Sequence, residues 1–223
     1  GETVKDARKL LEQGVEVIKV KIGENPAKDV EKVKRLREEL GYDFTLRLDA
    51  NQGYTVKTAI KTIRALERYE IEFVEQPVYY RDLEGMREVR RAVETPIMAD
   101  ETVHTPEDAV KAIKAEACDM INIKLMKSGG VRNAMKIAFI AEAAGIPCMV
   151  GCMEETRVGI TAGTHVALAL AGIKYADLDG HLGLAADVTE AGVETVRGVN
   201  RVPEAPGLGV KVRENLLAKF AKR

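Results

Sequence analysis

Net charge is what this sequence has least of. Its 34 Lys and Arg residues offset 35 Asp and Glu, leaving -1. With no basic footprint there is no expectation of nucleic acid as a partner, and no polybasic signal for a membrane surface. Long apolar runs are missing too. The most apolar stretch, residues 134–153, is broken by Lys136, Glu142 and Pro147, and the opening Gly1-Glu2-Thr3-Val4-Lys5-Asp6 has no secretory core. Three cysteines cannot all pair within one chain. Cys148 and Cys152 sit four apart on an expected strand, roughly 13 Å, too far for a disulfide. A reducing, cytoplasmic setting fits that usage. No G-x-G-x-x-G follows an expected strand, and no linker or low-complexity stretch divides the chain. The 46% hydrophobic content, spread evenly, excludes disordered and fibrous classes and predicts a soluble globular protein whose partners are small molecules.

What is present is alternation. At 223 residues the chain is slightly shorter than the ~250 typical of an α/β barrel. Short β-branched runs recur with amphipathic stretches between them, about 25 to 30 residues apart, which is the rhythm of repeated βα units. Strands are expected at Glu16–Ile22, Thr45–Ala50, Glu72–Gln76, Pro96–Asp100, Met120–Leu125, Cys148–Cys152 and Ala176–Asp179. Helices are expected between them. Pro26–Leu40 opens with Asn25 as N-cap, and Thr105–Ala115 opens with Thr105-Pro106. Gly14, Gly41 and Gly145 close helical patterns, where a left-handed cap belongs. Strict alternation predicts a parallel α/β sheet, doubly wound or closed as a (β/α)8 TIM barrel.

The strand ends decide where chemistry sits. Five successive strands finish on ionisable residues: Lys19-Val20-Lys21, Asp49-Ala50-Asn51, Glu75-Gln76-Pro77, Asp100-Glu101 and Lys124. Alternation puts Lys19 and Lys21 on one strand face, with Ile18 and Val20 opposite. It groups Arg47, Asp49 and Asn51 likewise, and Asn122 with Lys124. A central parallel strand is normally apolar throughout, so repeated inward charge needs partners or a metal. Asp49, Glu75 and Asp100 on consecutive strands offer hard oxygen ligands, for which Mg2+ is the natural occupant. Zinc fits less well, because His104, His165 and His181 are not grouped with the carboxylates at a usual ligand spacing; His165 lies inside a helical pattern. Lys21 and Lys124 flank the carboxylates in strand order, an arrangement suited to two-base chemistry. A lysine titrates near ~10.4, and a working base needs a pKa of about 7 to 8, which burial beside cations supplies. Lys19 would add positive surroundings. The competing expectation is a salt-bridge network in which these lysines simply neutralise the carboxylates.

These motifs, with Asn122-Ile123-Lys124-Leu125-Met126-Lys127-Ser128-Gly129-Gly130, resemble in order and spacing those of the enolase superfamily, in its muconate-lactonizing branch. The resemblance covers most of the chain and implies an enolase-like modified barrel. It implies Mg2+ held by Asp49, Glu75 and Asp100, and proton abstraction alpha to a carboxylate, with Lys21 and Lys124 as acid and base and Lys19 assisting. Ala176-Asp177-Leu178-Asp179-Gly180 resembles the D-x-D of dipeptide epimerases of the L-Ala-D/L-Glu type, which implies that Asp177 and Asp179 hold a substrate ammonium. Gly151-Cys152-Met153-Glu154-Glu155-Thr156 resembles the loop after the seventh strand in that group. The implied reaction is epimerisation of a dipeptide such as L-Ala-L-Glu through an enolate. The alternatives are a catalytically silent truncated or engineered scaffold, or chemistry like that of muconate cycloisomerase or o-succinylbenzoate synthase.

The sequence departs from the family at its start. No counterpart of the family's capping domain is expected, and 1–13 reads as a helix with no strand before it. We read the chain as a barrel truncated at the N-terminus, with 1–187 as the barrel and 188–223 as a C-terminal segment packing on it. Residues 194–212 resemble the family's segment returning toward the cap, and 213–223 read as a short helix. An open edge would favour a homo-oligomer or a complementing chain that supplies the missing strand.

Overall fold

Asn25 starts the first long helix as its residue type dictates: its side chain accepts from the Lys28 amide at 3.1 Å, and Pro26 takes the first helical position. Thr105 and Asp108 form a reciprocal capping box that starts another. Gly14, Gly41 and Gly145 all have positive φ after their helices, as expected. The structure, a computed structural model, describes residues 1–220. In order along the chain these are α1 (Glu2–Glu12), β1 (Val17–Lys21), α2 (Pro26–Leu40), β2 (Thr45–Asp49), α3 (Val56–Leu66), β3 (Ile71–Glu75), α4 (Leu83–Ala92), β4 (Ile97–Ala99), α5 (Pro106–Lys114), β5 (Met120–Lys124), α6 (Leu125–Ser128), α7 (Val131–Ala143), β6 (Cys148–Gly151), α8 (Arg157–Ala169) and β7 (Ile173–Asp177). Four short strands follow, β8 (Thr189–Ala191), β9 (Glu194–Val196), β10 (Val199–Arg201) and β11 (Lys211–Val212), then α9 (Glu214–Phe220).

Strands β1 to β7 make one sheet in sequence order. The pairs β1–β2, β2–β3, β3–β4, β4–β5 and β6–β7 are parallel. Each has a helix between its strands, the repeated crossover that the alternation predicts. The chain divides into two compact units, Gly1–Ile121 and a second beginning at Asn122. In the first, Val33, Leu36, Ile63, Leu66 and Met86 on the helices are fully buried, as are Leu46, Leu48, Phe73, Val74 and Ile97 on the strands. Removing each such side chain from water contributes about 1.5–3 kcal/mol. In the second unit, Ile137, Ala141, Ile160, Met149 and Val150 do the same work.

Two expectations shift. The last strand of the sheet runs Ile173–Asp177 rather than Ala176–Asp179, because Ile173 and Tyr175 pair with Cys148 and Met149 and draw its start forward. The segment 194–212 contains one antiparallel ladder, β9 with β10, and its last strand, β11, forms a second with β8, which precedes the segment. A two-residue turn, Arg197-Gly198, joins β9 to β10 with both residues at positive φ, the geometry that matches strand twist. The helix expected over 213–223 is present as α9, and its last three residues lie outside the described ones. Among the described residues no helix is long and apolar enough to cross a membrane.

Candidate active site

Register brings the charged strand ends of the first unit into one row. Lys21 on β1 is opposite Asp49 on β2, and Asp49 is opposite Glu75 on β3. One step earlier Lys19 is opposite Arg47. Residues paired across parallel strands present their side chains to the same face. The Asp49 and Glu75 side chains are fully buried, while those of Lys19 and Lys21 are 19% and 62% exposed. The Lys21 ammonium donates to Asp49 Oδ2 at 2.6 Å and to Asn51 Oδ1 at 2.7 Å. Lys19 Nζ lies 3.5 Å from Glu75 Oε2 and 3.9 Å from Asp49 Oδ2. Asp49 Oδ1 accepts from the Asn51 amide at 2.9 Å. Burial of two carboxylates at one level is costly unless cations and donors meet them, and here both do. Arg47 turns instead to Glu72 at 2.5 Å and lies over the Phe73 ring.

Beyond the strands the loops are tied to one another. The ladder continues through Ile22 N to Asp49 O (2.8 Å), Ala50 N to Glu75 O (3.0 Å) and Gln52 N to Gln76 O (2.8 Å). Gly23 has φ of 105°, and a Cβ there would sit 2.3 Å from Ala50 O, so only glycine allows this approach. Sequence reasoning missed the residues that hold these loops. Asp29, on the first turn of α2, is buried and accepts through Oδ2 from Gly23 N (3.1 Å), Asn25 N (3.1 Å) and Tyr54 Oη (2.7 Å). Burial, then the bond to Asp29, pushes the Tyr54 phenol well above its usual pKa. Gln76 is fully buried and hydrogen-bonded to the backbone of Asp100 and Thr102. The signal for Asp29 was an acidic residue four after an N-cap, and for Gln76 an amide directly after a strand-end carboxylate.

The oxygen donors in this unit suit a hard cation. Asp49, Glu75 and Asp100 are buried carboxylates on consecutive strands or their ends, a hard oxygen donor set. Glu101, next to Asp100, receives Asn51 Nδ2 at 3.2 Å on one oxygen, while its buried Oε2 has no hydrogen-bond partner. An orphaned carboxylate oxygen beside that set fits a site for a cation and its waters. Among the described residues no three His, Cys, Asp or Glu side chains already close around one point. Lysine ammonium groups meet Asp49 and Glu75 instead.

The second unit holds the remaining expected residues. On β5, Asn122 and Lys124 are both buried and share a face by alternation. Gly151 on β6 makes room for Asn122, since a Cβ there would lie 2.5 Å from its Oδ1. Lys124 sits at the junction with α6, where Ser128 Oγ donates to its carbonyl at 3.0 Å. Asp177 ends β7; Asp179 lies past the strand, so the two do not share a strand face as expected. A tight turn follows, in which Gly180 packs so close to Met153 O that a Cβ would come within 2.0 Å. The Gly180 amide donates to Cys152 Sγ at 3.3 Å, and burial pushes the Cys152 thiol up to about 11. None of the three cysteines is in a disulfide. His165 lies on α8, 3.4 Å from Leu208 O; His181 bonds Thr195; His104 stacks edge-on near Tyr80.

A model of the family described as "Enolase C-terminal domain-like" matches residues 2–216. The chain belongs to that family. Among curated relatives, the hydrophobic dipeptide epimerase of Enterococcus faecalis is 47% identical over 209 residues, covering 92% of this chain and 59% of its own length. The L-Ala-D/L-Glu epimerase of Bacillus subtilis is 43% identical over 212 residues, covering 94% and 58%. The solved dipeptide epimerase of Cytophaga hutchinsonii, in complex with Mg and D-Ala-L-Val, superposes with a TM-score of 0.93 at 41% identity over 97% of this chain and 59% of that one. This enolase-type chain therefore spans about 59% of the length of the curated relatives it matches. Its seven strands in sequence order, alternating with helices, match the barrel domains of that superfamily, as the strand-end motifs imply.

Proposed function

We propose that the chain carries the site of a Mg2+-dependent epimerase, which moves a proton at the carbon alpha to a carboxylate in a dipeptide such as L-Ala-L-Glu. The observation that carries this reading is the register row Lys21, Asp49, Glu75, with both acids fully buried and both met by lysines. Buried charge of that kind is expensive as mere scaffolding and useful as chemistry. The identity to enzymes named as dipeptide epimerases supports it.

In this reading Asp49, Glu75 and Asp100 hold the cation, whose bound charge would offset the negative charge that builds on the substrate carboxylate as its alpha proton leaves. Lys21, as the free amine, takes that proton; Lys124, as the ammonium, returns one to the alpha carbon, and the reverse direction exchanges their roles. Lys19, whose ammonium lies 3.5 Å from Glu75 and 3.9 Å from Asp49, assists electrostatically. Asp177 and Asp179 receive the dipeptide ammonium.

The test is proton NMR in D2O with Mg2+ and either L-Ala-L-Glu or an apolar dipeptide. We expect alpha-proton loss that stops in Lys21→Ala and Lys124→Ala, each still folded by circular dichroism. No exchange above background by the parent protein, with Mg2+ bound, contradicts the proposal and leaves a silent scaffold.

A further inference from the structure

We propose that Gln76 is a positioning residue of the cation site, fixing the main chain of Asp100 against the end of β3. The inference rests on the reading of Glu75 and Asp100 as ligands.

Strand β4 is only three residues long, and its register with β3 stops at Glu75 opposite Met98. Asp100 therefore lies beyond the ladder, although its carboxylate must be held as firmly as that of Glu75. In a parallel ladder the rungs alternate regularly: Val74 N donates to Pro96 O at 2.9 Å, Gln76 N donates to Met98 O at 2.9 Å, and the next rung would run from Asp100 N to the carbonyl of Gln76. That carbonyl is turned the other way, to the loop after β2, where it accepts from Gln52 N at 2.8 Å. The Gln76 side chain supplies the rung instead. Its Oε1 accepts from Asp100 N at 3.0 Å and from Thr102 N at 3.1 Å. Its Nε2 donates to Thr102 Oγ1 at 2.9 Å and to Val78 O at 2.9 Å.

The backbone of Gln76 bends to allow this, with φ of 37°, a left-handed value uncommon for a residue with a side chain. Full burial keeps water from competing for the amide. One residue thus ties three loops together, the loop after β2 through its backbone carbonyl and the loops after β3 and β4 through its side chain. Only an amide of this length both accepts two N–H groups and donates two hydrogens; a carboxylate cannot donate, and an asparagine is one methylene shorter. Partners that orient ligands usually change metal affinity 10- to 100-fold when removed.

The experiment is calorimetric titration with Mg2+ of the parent protein, Gln76→Met, and Ile63→Val, a control that trims a buried side chain in the part of α3 that leads into the start of β3. Each is kept at a temperature where circular dichroism shows it folded, and amide hydrogen exchange at Asp100 is read in parallel. Gln76→Met is expected to bind Mg2+ ~10- to 100-fold more weakly, with faster exchange at the Asp100 amide, and Ile63→Val to bind as the parent does. Gln76→Met binding within twofold of the parent overturns the proposal. So does Ile63→Val weakening Mg2+ to the same degree, which would mean general loosening. If Gln76→Met does not fold, Thr102→Val, which removes one acceptor of Nε2, carries the test: unchanged affinity overturns, weakened affinity supports. A parent protein that binds no Mg2+ overturns the ligand reading, and this inference with it.

Discussion

At His181 the hydrogen-bond directions settle which nitrogen bears the proton. Thr195 Oγ1 donates to Asn200 Oδ1 at 2.6 Å, so it accepts from His181 Nε2 at 3.0 Å, and the buried Nδ1 faces no partner. A second proton there would be stranded. Burial, then the positive charge of Arg157, lowers the His181 pKa despite the opposing pull of Asp187 and Asp179. A histidine whose folded pKa is depressed stabilises the fold fully above its unfolded value, about 6.5, and loses that contribution as pH falls through the lower folded value. We predict a His181 pKa below 6.5 by NMR titration; a value at or above it contradicts this arrangement. Asp29 makes the stronger claim. Asp29→Ala leaves the Asn25 amide and the Tyr54 hydroxyl without their acceptor, while Gly23 N keeps Tyr54 Oη at 3.1 Å; each donor so orphaned costs about 1–3 kcal/mol when buried. Urea denaturation should show a loss of about 2 kcal/mol or more, whereas a loss under about 1 kcal/mol would mean water replaces the carboxylate. At this scale the sequence showed the strand-end lysines and acids, because strand alternation alone assigns them a face. It concealed Gln76 and Asp29, whose side chains bond to loop backbone, since those partners exist only once the loops have closed.

Among the elements, α2 and α5 were legible down to their caps, because Asn25-Pro26 and Thr105-Pro106 carry the start signal locally. Helix α8 is different. Thr156 makes no capping bond with its side chain, and the Arg157 amide is met from 30 residues away by Asp187 Oδ2 at 2.7 Å. The same carboxylate accepts from Thr189 N and Oγ1, so one residue starts α8 and anchors β8. Burial opposes the charge on Asp187, but the bonds from Arg157 and Thr189 outweigh it and hold the carboxyl below its ordinary value. Its stabilisation is then complete above pH about 4 and is lost as pH falls through the lower folded pKa. Asp187→Asn should lower stability by about 1 kcal/mol at pH 7 and flatten its decline between pH 5 and 2; an unchanged acid profile would contradict the assignment. The start of β7 was misread because strand pairing, not local pattern, fixes it. The β9–β10 hairpin went unexpected although Arg197-Gly198 is a usable turn signal.

For the whole molecule, alternation of strand and helix was enough for the fold class, since a parallel sheet with crossover helices leaves few other topologies. The candidate site was legible wherever register could be anticipated, as with Lys21, Asp49 and Glu75. Asp100 and Asp179 were named from the sequence too, but on strands that end before them, so their placement was not legible. The central claim is that acids from three consecutive strands share one cation. Crystals grown with Mn2+ in place of Mg2+ test it most directly through the anomalous signal. The account predicts a single strong peak about 2.0–2.3 Å from oxygens of Asp49, Glu75 and Asp100; a map with no peak there, or with Lys21 still bound to Asp49 under saturating Mn2+, would contradict it.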